Sequence, residues 1–286
     1  MVDVRVVTVA FNPGQEIEQM ADSLPAAFAD SKVSWELVVV NNGDSAHVLD
    51  ELSDRARIID AGANLGYGGG NNLGARGHDG EWLLFVNPDV TFHPGCVQRL
   101  LEVADHYPQA GVFGPKILTP QGAVYPSARR FPRLVAGTGH ALFANVWPDN
   151  PWSAKYRAVG DANTTHTADW LSGSCLLVRA QDFFAVGGFD REFFMFFEDT
   201  MLGEAMERAG RERVFVHDAL ITHDQGASWR DRPAPMLRAH HESAYKYLAR
   251  VYSGPCYAPV RLVLKAGLKA RLAIQIAGSR ANRPQR

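Results

Sequence analysis

Residues 2–10 read VDVRVVTVA and are followed at residues 11–14 by the polar loop FNPG. An apolar run of this length, stopped by Asn, Pro and Gly, is typical of a buried β-strand that ends in a turn. A helix is predicted next, from Gln15 to about Asp30. Strand, polar turn and helix in this order predict the first unit of a parallel α/β sheet.

The same pattern returns twice along the chain. Trp35–Val40 is stopped by NNGD at residues 41–44, and Trp82–Val86 is stopped by NPD at residues 87–89. In open α/β sheets ligands bind at the carboxyl ends of the strands, so these polar turns are candidate binding residues. Residues 64–72, NLGYGGGNN, predict a glycine-rich turn that either approaches a ligand closely or is a plain flexible loop.

The second half of the chain is less regular. Six prolines interrupt residues 114–167, and we predict an insertion packed over the sheet there. Trp170–Arg179 predicts a strand. A helix is predicted from Thr200 to Ala209, directly after the acidic pair Glu198 and Asp199.

The charge is distributed unevenly. The formal net charge is −2, from 29 Lys and Arg against 31 Asp and Glu, which does not support a nucleic-acid-binding surface. No acidic residue follows Glu242, whereas nine basic residues do. The chain is therefore an acidic body with a basic tail.

Three cysteines, at positions 96, 175 and 256, lie far apart without metal-ligand spacing, which fits a reducing compartment. The first residues lack the long apolar core of a signal peptide. Pro259–Ala277 is apolar but carries four basic residues, which argues against a membrane-spanning helix. We therefore expect a cytoplasmic protein that is neither exported nor membrane-spanning.

Several motifs, in this order, resemble the landmarks of family 2 nucleotide-sugar glycosyltransferases: residues 8–13, 38–44, 64–72, 87–89, 187–190 (GGFD), 197–199 (FED) and His223. Residues 125–129, 147–152 and 170–179 further resemble the actinobacterial rhamnosyltransferases that build the arabinogalactan linker. The resemblance implies an α/β protein of the type A glycosyltransferase fold, with a Rossmann-like, mostly parallel sheet flanked by helices.

The resemblance also implies a reaction, the inverting transfer of L-rhamnose from dTDP-L-rhamnose to N-acetylglucosaminyl-diphospho-decaprenol in cell-wall synthesis. Two alternatives remain open. One is the same fold using another nucleotide sugar for a different cell-wall glycan, and the other is an inactive sugar-nucleotide-binding protein. The sequence predicts no oligomeric state.

Carried over residue by residue, the resemblance implies two sets of ligand contacts. The nucleotide-sugar set is Ala10, Phe11, Asn12, Asn41, Asn64, Gly66, Tyr67, Asn72, Asn87 and Asp89. The acceptor-side set is Trp170, Ser172, Gly173 and Ser174. Relatives commonly carry Asp where Asn41 stands, and an amide accepts a hydrogen bond without the charge.

A divalent cation, Mg²⁺ or Mn²⁺, is implied at Asp89 and His223, because a diphosphate leaving group needs its charge neutralised. The family's usual Asp-X-Asp is Asn87-Pro88-Asp89 here, which leaves one strong oxygen ligand. The alternative interpretations are that Asp89 closes a proline turn and that His223 is a structural hydrogen-bonding group.

Asp199 is the candidate catalytic base, and Glu198 is its neighbour in the site. Inverting transfer needs a carboxylate that takes the acceptor proton. Acidic residues at a helix start also serve as caps, but the aromatic run Phe193–Phe197 would desolvate this pair, which is costly for mere caps. Relatives commonly carry a further acid where Met201 stands.

We predict a catalytic domain over residues 1–242, with a nucleotide-sugar half at 1–113 and an acceptor and catalytic half at 114–242. Residues 243–286 would form a basic amphipathic extension. On a helix, Arg261, Lys265 and Lys269 share one face, surrounded by Leu262, Leu264, Leu268, Leu272 and Ile276. This pattern predicts peripheral attachment to the cytoplasmic face of the plasma membrane, or a solvated helix packed on the domain.

Overall fold

The computed structural model describes residues 2–29, 31–132, 160–224 and 233–281. Its first part alternates strands and helices: β1 (Val4–Ala10), α1 (Glu16–Ala27), β2 (Trp35–Asn41), α2 (Ala46–Leu49), β3 (Arg57–Asp60), α3 (Gly66–Ala75) and β4 (Trp82–Val86). The three strands and the first helix predicted from the sequence are confirmed, with ends shifted by up to three residues.

The remaining elements complete the sheet and cover it. They are β5 (Val90–Phe92), α4 (Cys96–His106), β6 (Ala110–Leu118), β7 (Val124–Tyr125), β8 (Ala128–Arg129), β9 (His166–Thr167), β10 (Trp170–Leu171), β11 (Cys175–Arg179), α5 (Ala180–Ala185), α6 (Glu198–Arg208), β12 (Glu212–His223), α7 (Pro233–Val251) and α8 (Ala258–Ala281).

The main sheet has the order β3-β2-β1-β4-β11-β6-β12-β5. Strands β3, β2, β1 and β4 are parallel, and β12 is parallel to β6. Strand β11 is antiparallel to both of its neighbours, β4 and β6. The sheet is thus mixed and mostly parallel, as the resemblance implied.

Both faces of the sheet are covered, so every residue of β1 is buried. Val4 and Val6 belong to a core cluster with apolar residues of α1 and α4. Val7 belongs to another cluster, with residues of α3, α5 and α6. The result is a three-layer sandwich with the carboxyl ends of β1, β2 and β4 at one edge.

The glycine-rich run is a helix, so its prediction as a turn was wrong. Two of its glycines lie against the sheet: a Cβ on Gly74 would lie 2.4 Å from Val7 Cγ1, and a Cβ on Gly70 would lie 2.8 Å from Val9 Cγ1. Helix α3 contacts β1 closely because these side chains are missing. The glycine content reflects helix–sheet packing rather than a phosphate-binding loop.

Two further predictions need correction. Strand β6 continues to Leu118 inside the main sheet, so the predicted insertion cannot begin at Gly114. Trp170–Arg179 is two strands, β10 and β11, separated by residues 172–174. The domain divisions predicted at 113/114 and 242/243 fall within β6 and α7. Much of the insertion, residues 133–159, lies outside the described residues.

The C-terminal helices pack on the catalytic half. Leu264 and Leu268 of α8 are buried against Tyr247 and Leu248 of α7, in a cluster that includes Phe193. Four of the five apolar residues predicted on the surface of this helix are thus buried or half-buried, and only Leu262 is well exposed. In the described part of the chain, no helix combines the length and hydropathy needed to cross a bilayer.

Gly74→Ala tests the close packing of α3. We expect a loss of about 1–3 kcal/mol in the free energy of unfolding, because the new methyl group would overlap Val7. Gly69→Ala is the matched control, since its Cβ would meet only the Leu65 side chain, at 3.0 Å. It should be neutral or stabilise by up to ~1 kcal/mol through helix propensity. Equal denaturation midpoints for Gly74→Ala and wild type would contradict the packing argument.

Candidate active site

A cavity of about 370 Å³ opens where β1, β2 and β3 end. Three of the predicted nucleotide-sugar residues line it: Phe11 follows β1, Asn41 ends β2, and Asn64 lies in the turn after β3. Asn41 is the last residue of β2 and pairs with Asp60, the last residue of β3. The ends of these strands, whose polar turns are candidate binding residues, thus meet at one cavity.

Asn42 fixes the wall of this cavity. Its Nδ2 donates to Asn64 Oδ1 at 2.9 Å and to the Gly66 carbonyl at 3.2 Å, and its Oδ1 accepts from the Leu65 N–H at 2.8 Å. Gly66 has φ +73, and a Cβ there would lie 2.0 Å from the Phe194 carbonyl oxygen. Only glycine fits this position.

Three other predicted nucleotide-sugar residues take part in the framework. Ala10 is buried at the end of β1, and its carbonyl accepts from the Asn42 N–H at 2.8 Å. Asn12, at φ 49, accepts from the Asp44 N–H at 3.0 Å. The Asn72 amide both donates to and accepts from the Phe189 backbone, at 2.7 and 2.9 Å. Asn72 therefore holds the Gly-Gly-Phe-Asp turn.

Asp89, His223 and Asn87 lie together beside the end of β4. His223 Nε2 lies 3.1 Å from Asp89 Oδ1 and 3.3 Å from Asn87 Nδ2. The Asp89 and His223 side chains are 9% and 10% exposed. The two proposed metal ligands, 134 residues apart in sequence, thus share one buried position.

This donor set fits a divalent cation in part. Among the described residues, no group of three His, Cys, Asp or Glu side chains could enclose a metal. One carboxylate and one imidazole leave most coordination positions to other oxygens, as expected where a nucleotide diphosphate completes the shell. The alternative, a plain His–Asp hydrogen bond, has the same geometry.

Asp199 is the second residue of α6 and lies next to the loop between β10 and β11. Its Oδ2 accepts from the Gly173 N–H at 3.0 Å, and its Oδ1 accepts from the Thr200 N–H at 2.7 Å. Tyr67 donates its hydroxyl to the Gly173 carbonyl. The predicted base therefore contacts a predicted acceptor-side residue directly.

Burial of Asp199 and Glu198 shifts the pKa values of both carboxyl groups. Burial raises the pKa of Asp199, opposed by its backbone hydrogen bonds and by the positive charge of Arg129. Burial and the neighbouring Asp199 raise the pKa of Glu198 well above its ordinary range. Glu198 is 7% exposed, and none of the described residues forms a hydrogen bond with its Oε2. The desolvation predicted from the aromatic run is present.

The two residues before Glu198 are strained. Phe196 and Phe197 have φ values of 66 and 68, a left-handed conformation that bulky side chains rarely adopt. Helix α7 supports them: Ser243 Oγ donates to the Met195 carbonyl at 2.8 Å, and the Tyr247 ring lies 5.3 Å from the Phe197 ring. The surrounding packing holds this turn, which aims the acidic pair.

The other acceptor-side residues line the same loop. Ser172 Oγ and Ser174 Oγ lie 3.0 Å apart, and the Ser174 carbonyl accepts from the Asn87 N–H at 2.9 Å. Trp170 is buried, and its indole N–H donates to the Arg130 carbonyl at 3.1 Å. The loop of residues 172–174 thus joins the Asp199 pocket to the Asp89–His223 pair.

Met201, at the position where relatives commonly have an acid, is 8% exposed and packs in the cluster formed with α7 and α8. An acid there would be desolvated without a partner. Methionine, the departure from the family pattern, therefore suits the apolar surroundings of this position.

Sequence reasoning assigned no role to several residues of this region. Asp60 is the one carboxylate among the residues that line the cavity, and its position at the end of β3 could have revealed it. Arg129 lies over the Tyr125 and Trp170 rings, at 5.0 and 5.2 Å, within a motif already noted. Nothing in the local sequence pointed to Ser243.

Comparison with known proteins agrees with this architecture. The chain is 38% identical, over 96% of its length and 93% of the relative, to N-acetylglucosaminyl-diphospho-decaprenol L-rhamnosyltransferase of Mycobacterium tuberculosis. It is 25% identical to Rhamnosyltransferase WbbL of Escherichia coli (strain K12), over 86% of this chain and 93% of that protein.

Solved structures match the fold. A crystal structure of S. aureus TarS 1–349 superposes with a TM-score of 0.55 at 15% identity, covering 98% of this chain and 74% of that one. A structure of GalNAc-T7 with UDP, GalNAc and Mn²⁺ gives 0.59 at 13% identity, covering 94% of this chain and 55% of that one. The sequence model of Glycosyl transferase family 2 matches residues 5–187. The chain belongs to glycosyl transferase family 2.

Proposed function

We propose that this glycosyltransferase moves L-rhamnose from dTDP-L-rhamnose to a polyprenyl-diphosphate-linked N-acetylglucosamine, with inversion at the anomeric carbon. The observation that supports catalysis most strongly is the buried Asp199 carboxylate beside Gly173, joined through residues 172–174 to Asp89 and His223. The acceptor and the sugar are proposed by analogy with the Mycobacterium tuberculosis relative, whose name states both.

In this proposal the nucleobase occupies the cavity of Asn41, Asn64 and Phe11. Asp60 supplies there a carboxylate that accepts a hydrogen bond from the base, in place of the acid missing at position 41. The diphosphate lies toward Asn87 and Asp89, and the sugar toward Gly173. The polar groups follow the strand ends in the order in which a nucleotide sugar would need them.

Asp199 acts as the base. Its carboxylate takes the proton of the acceptor hydroxyl as that oxygen bonds to the anomeric carbon and the bond to the dTDP diphosphate breaks. The raised pKa improves proton capture near neutral pH. The raised pKa of Glu198 favours its protonated form, which reduces the negative charge of the pocket.

Asp89 and His223 would hold Mg²⁺ or Mn²⁺ together with diphosphate oxygens. When bound, such an ion neutralises charge on the leaving group. Asn87 Nδ2 lies 3.3 Å from the same His223 Nε2, so this contact would be given up if that nitrogen bound an ion, because a ring nitrogen has one lone pair.

Because the acceptor carries a lipid tail, we propose that the enzyme acts at the cytoplasmic leaflet of the membrane and attaches to it peripherally. A different nucleotide sugar would use the same pocket, since a few side chains decide sugar choice.

The deciding experiment is a screen of nucleotide sugars against a short-chain polyprenyl-diphosphate N-acetylglucosamine, with the product analysed by mass spectrometry. A product carrying deoxyhexose only from dTDP-L-rhamnose supports the proposal, and a product from another donor alone overturns it.

Asp199→Asn should lower turnover by roughly 100-fold or more, because the amide keeps the size of the side chain but cannot take a proton. The affinity for dTDP, measured by titration calorimetry, should barely change. Glu204→Gln, on the same helix and bonded to Tyr247, is the control for fold integrity. Turnover within threefold of wild type would reject Asp199 as the base.

Asp89→Ala should weaken dTDP binding by roughly 10-fold or more in the presence of Mn²⁺ and have little effect in a chelator. Chelation should also abolish transfer by the wild-type enzyme. Asp105→Ala, on α4, is a matched control for loss of one carboxylate. If the wild-type protein binds dTDP equally well with and without Mn²⁺, Asp89 is a turn residue only.

Glu198→Gln should stabilise the fold at neutral and alkaline pH. Because folding raises the pKa of this carboxyl, the unfolded state ionises at a lower pH than the folded state. The free energy of unfolding of the wild type therefore falls as the pH rises above the ordinary pKa of 4.5. Glutamine avoids this cost. The melting temperature of the variant should exceed that of wild type at pH 8, and the difference should shrink toward pH 4. A variant less stable at every pH would contradict a protonated Glu198.

A further inference from the structure

The outward face of α8 is an apolar stripe against which none of the described residues packs. Leu262, Val263 and Ile274 are 70%, 67% and 70% exposed. On the same face the exposed residues between them are alanines, at positions 266, 270, 273 and 277. Large exposed apolar patches of this kind mark interaction sites rather than ordinary surface.

The inner face of the same helix is already satisfied. Leu264 and Leu268 are each 4% exposed and pack on α7. Arg261, predicted to belong to a basic membrane face, instead donates to the Tyr252 and Gly254 carbonyls, at 2.6 and 2.8 Å, and closes the turn before the helix. The outer stripe therefore has no role in the core of the described fold.

Charge identifies the occupant. Lys265 and Lys269 are exposed at one border of the stripe, and residues 243–281 contain no acidic residue. A second copy docking stripe to stripe would bring lysines of both copies together without an acidic partner from α8. Anionic lipid headgroups complement the lysines, while the acyl boundary accepts the leucine, valine and isoleucine side chains.

The stripe is also connected to the catalytic pair. Helix α8 packs on α7 through Leu264 and Leu268, and α7 packs on Phe197 through Tyr247. Phe197 directly precedes Glu198. A lipid surface held by α8 would thus be fixed relative to the acceptor side.

We propose that the exposed apolar face of α8, bordered by Lys265 and Lys269, docks on an anionic lipid surface with the helix lying in the plane of the interface. This rests on the proposed function, because a polyprenyl-linked acceptor is what brings the enzyme to that surface. In this proposal the face of α8 that contacts the lipid is apolar, whereas the sequence predicted a basic face.

The test compares binding to phosphatidylglycerol–phosphatidylcholine vesicles by sedimentation. Leu262→Gln with Ile274→Gln should lower the partition coefficient at least tenfold, and Lys265→Gln with Lys269→Gln should lower it only for vesicles that contain phosphatidylglycerol. The matched control is Ile58→Gln with Val124→Gln, two exposed apolar side chains on the sheet, 36% and 49% exposed, which should leave partition unchanged.

Unchanged partition of the Leu262 and Ile274 variant would overturn the proposal. So would light scattering that finds a wild-type dimer which this variant converts to monomer, because the stripe would then belong to a second copy. Turnover on a short-chain, water-soluble acceptor separates this inference from the proposed function. The variant should retain that turnover and lose turnover on vesicle-embedded acceptor, whereas a wild-type enzyme inactive on both acceptors would refute the proposed function itself.

Discussion

The hydrogen bond from the Gly173 N–H to the Asp199 carboxylate, at 3.0 Å in a buried pocket, is the contact on which the site depends. It joins the loop between two strands of different sheets to the start of α6. The Ser174 carbonyl of the same loop accepts from the N–H of Asn87, whose side chain lies beside His223 of the Asp89–His223 pair. Because the surroundings are desolvated, small changes in this contact act strongly on the charge of Asp199.

Holding this carboxylate in place requires strain at Phe196 and Phe197, and the C-terminal helices supply the support. Left-handed backbone at two aromatic residues costs roughly 1–2 kcal/mol each. The packing of Tyr247 and the Ser243 hydrogen bond to Met195 offset that cost. Helix α7 is therefore part of the catalytic architecture, and α8, buried against it, extends the same unit to an exposed apolar face.

The strand ends were predictable because a valine-rich run stopped by Asn, Asp, Pro or Gly reports a buried strand and its turn. The acidic pair and His223 were predicted as site residues from the order of the motifs along the chain. Pattern reasoning failed where long-range packing decides: the glycines of α3 became helical because Val7 and Val9 lie against them. Strand β10 ends at Leu171 because residues 172–174 turn toward Asp199. Asp60 could have been found from its place at a strand end, whereas the position of Arg129 and the exposure of the outward stripe of α8 depend on which elements meet, which local sequence does not encode.

The most direct test of the central claim is the pH dependence of kcat/KM for wild type, Arg129→Gln and Arg129→Lys. The positive charge of Arg129 lowers the pKa of Asp199, against the larger rise caused by burial. The account predicts a wild-type acid limb above the ordinary aspartate value of 3.8, a limb at still higher pH in Arg129→Gln, and a near-wild-type limb in Arg129→Lys. An acid limb that does not move when the charge at position 129 is removed would contradict Asp199 as the base.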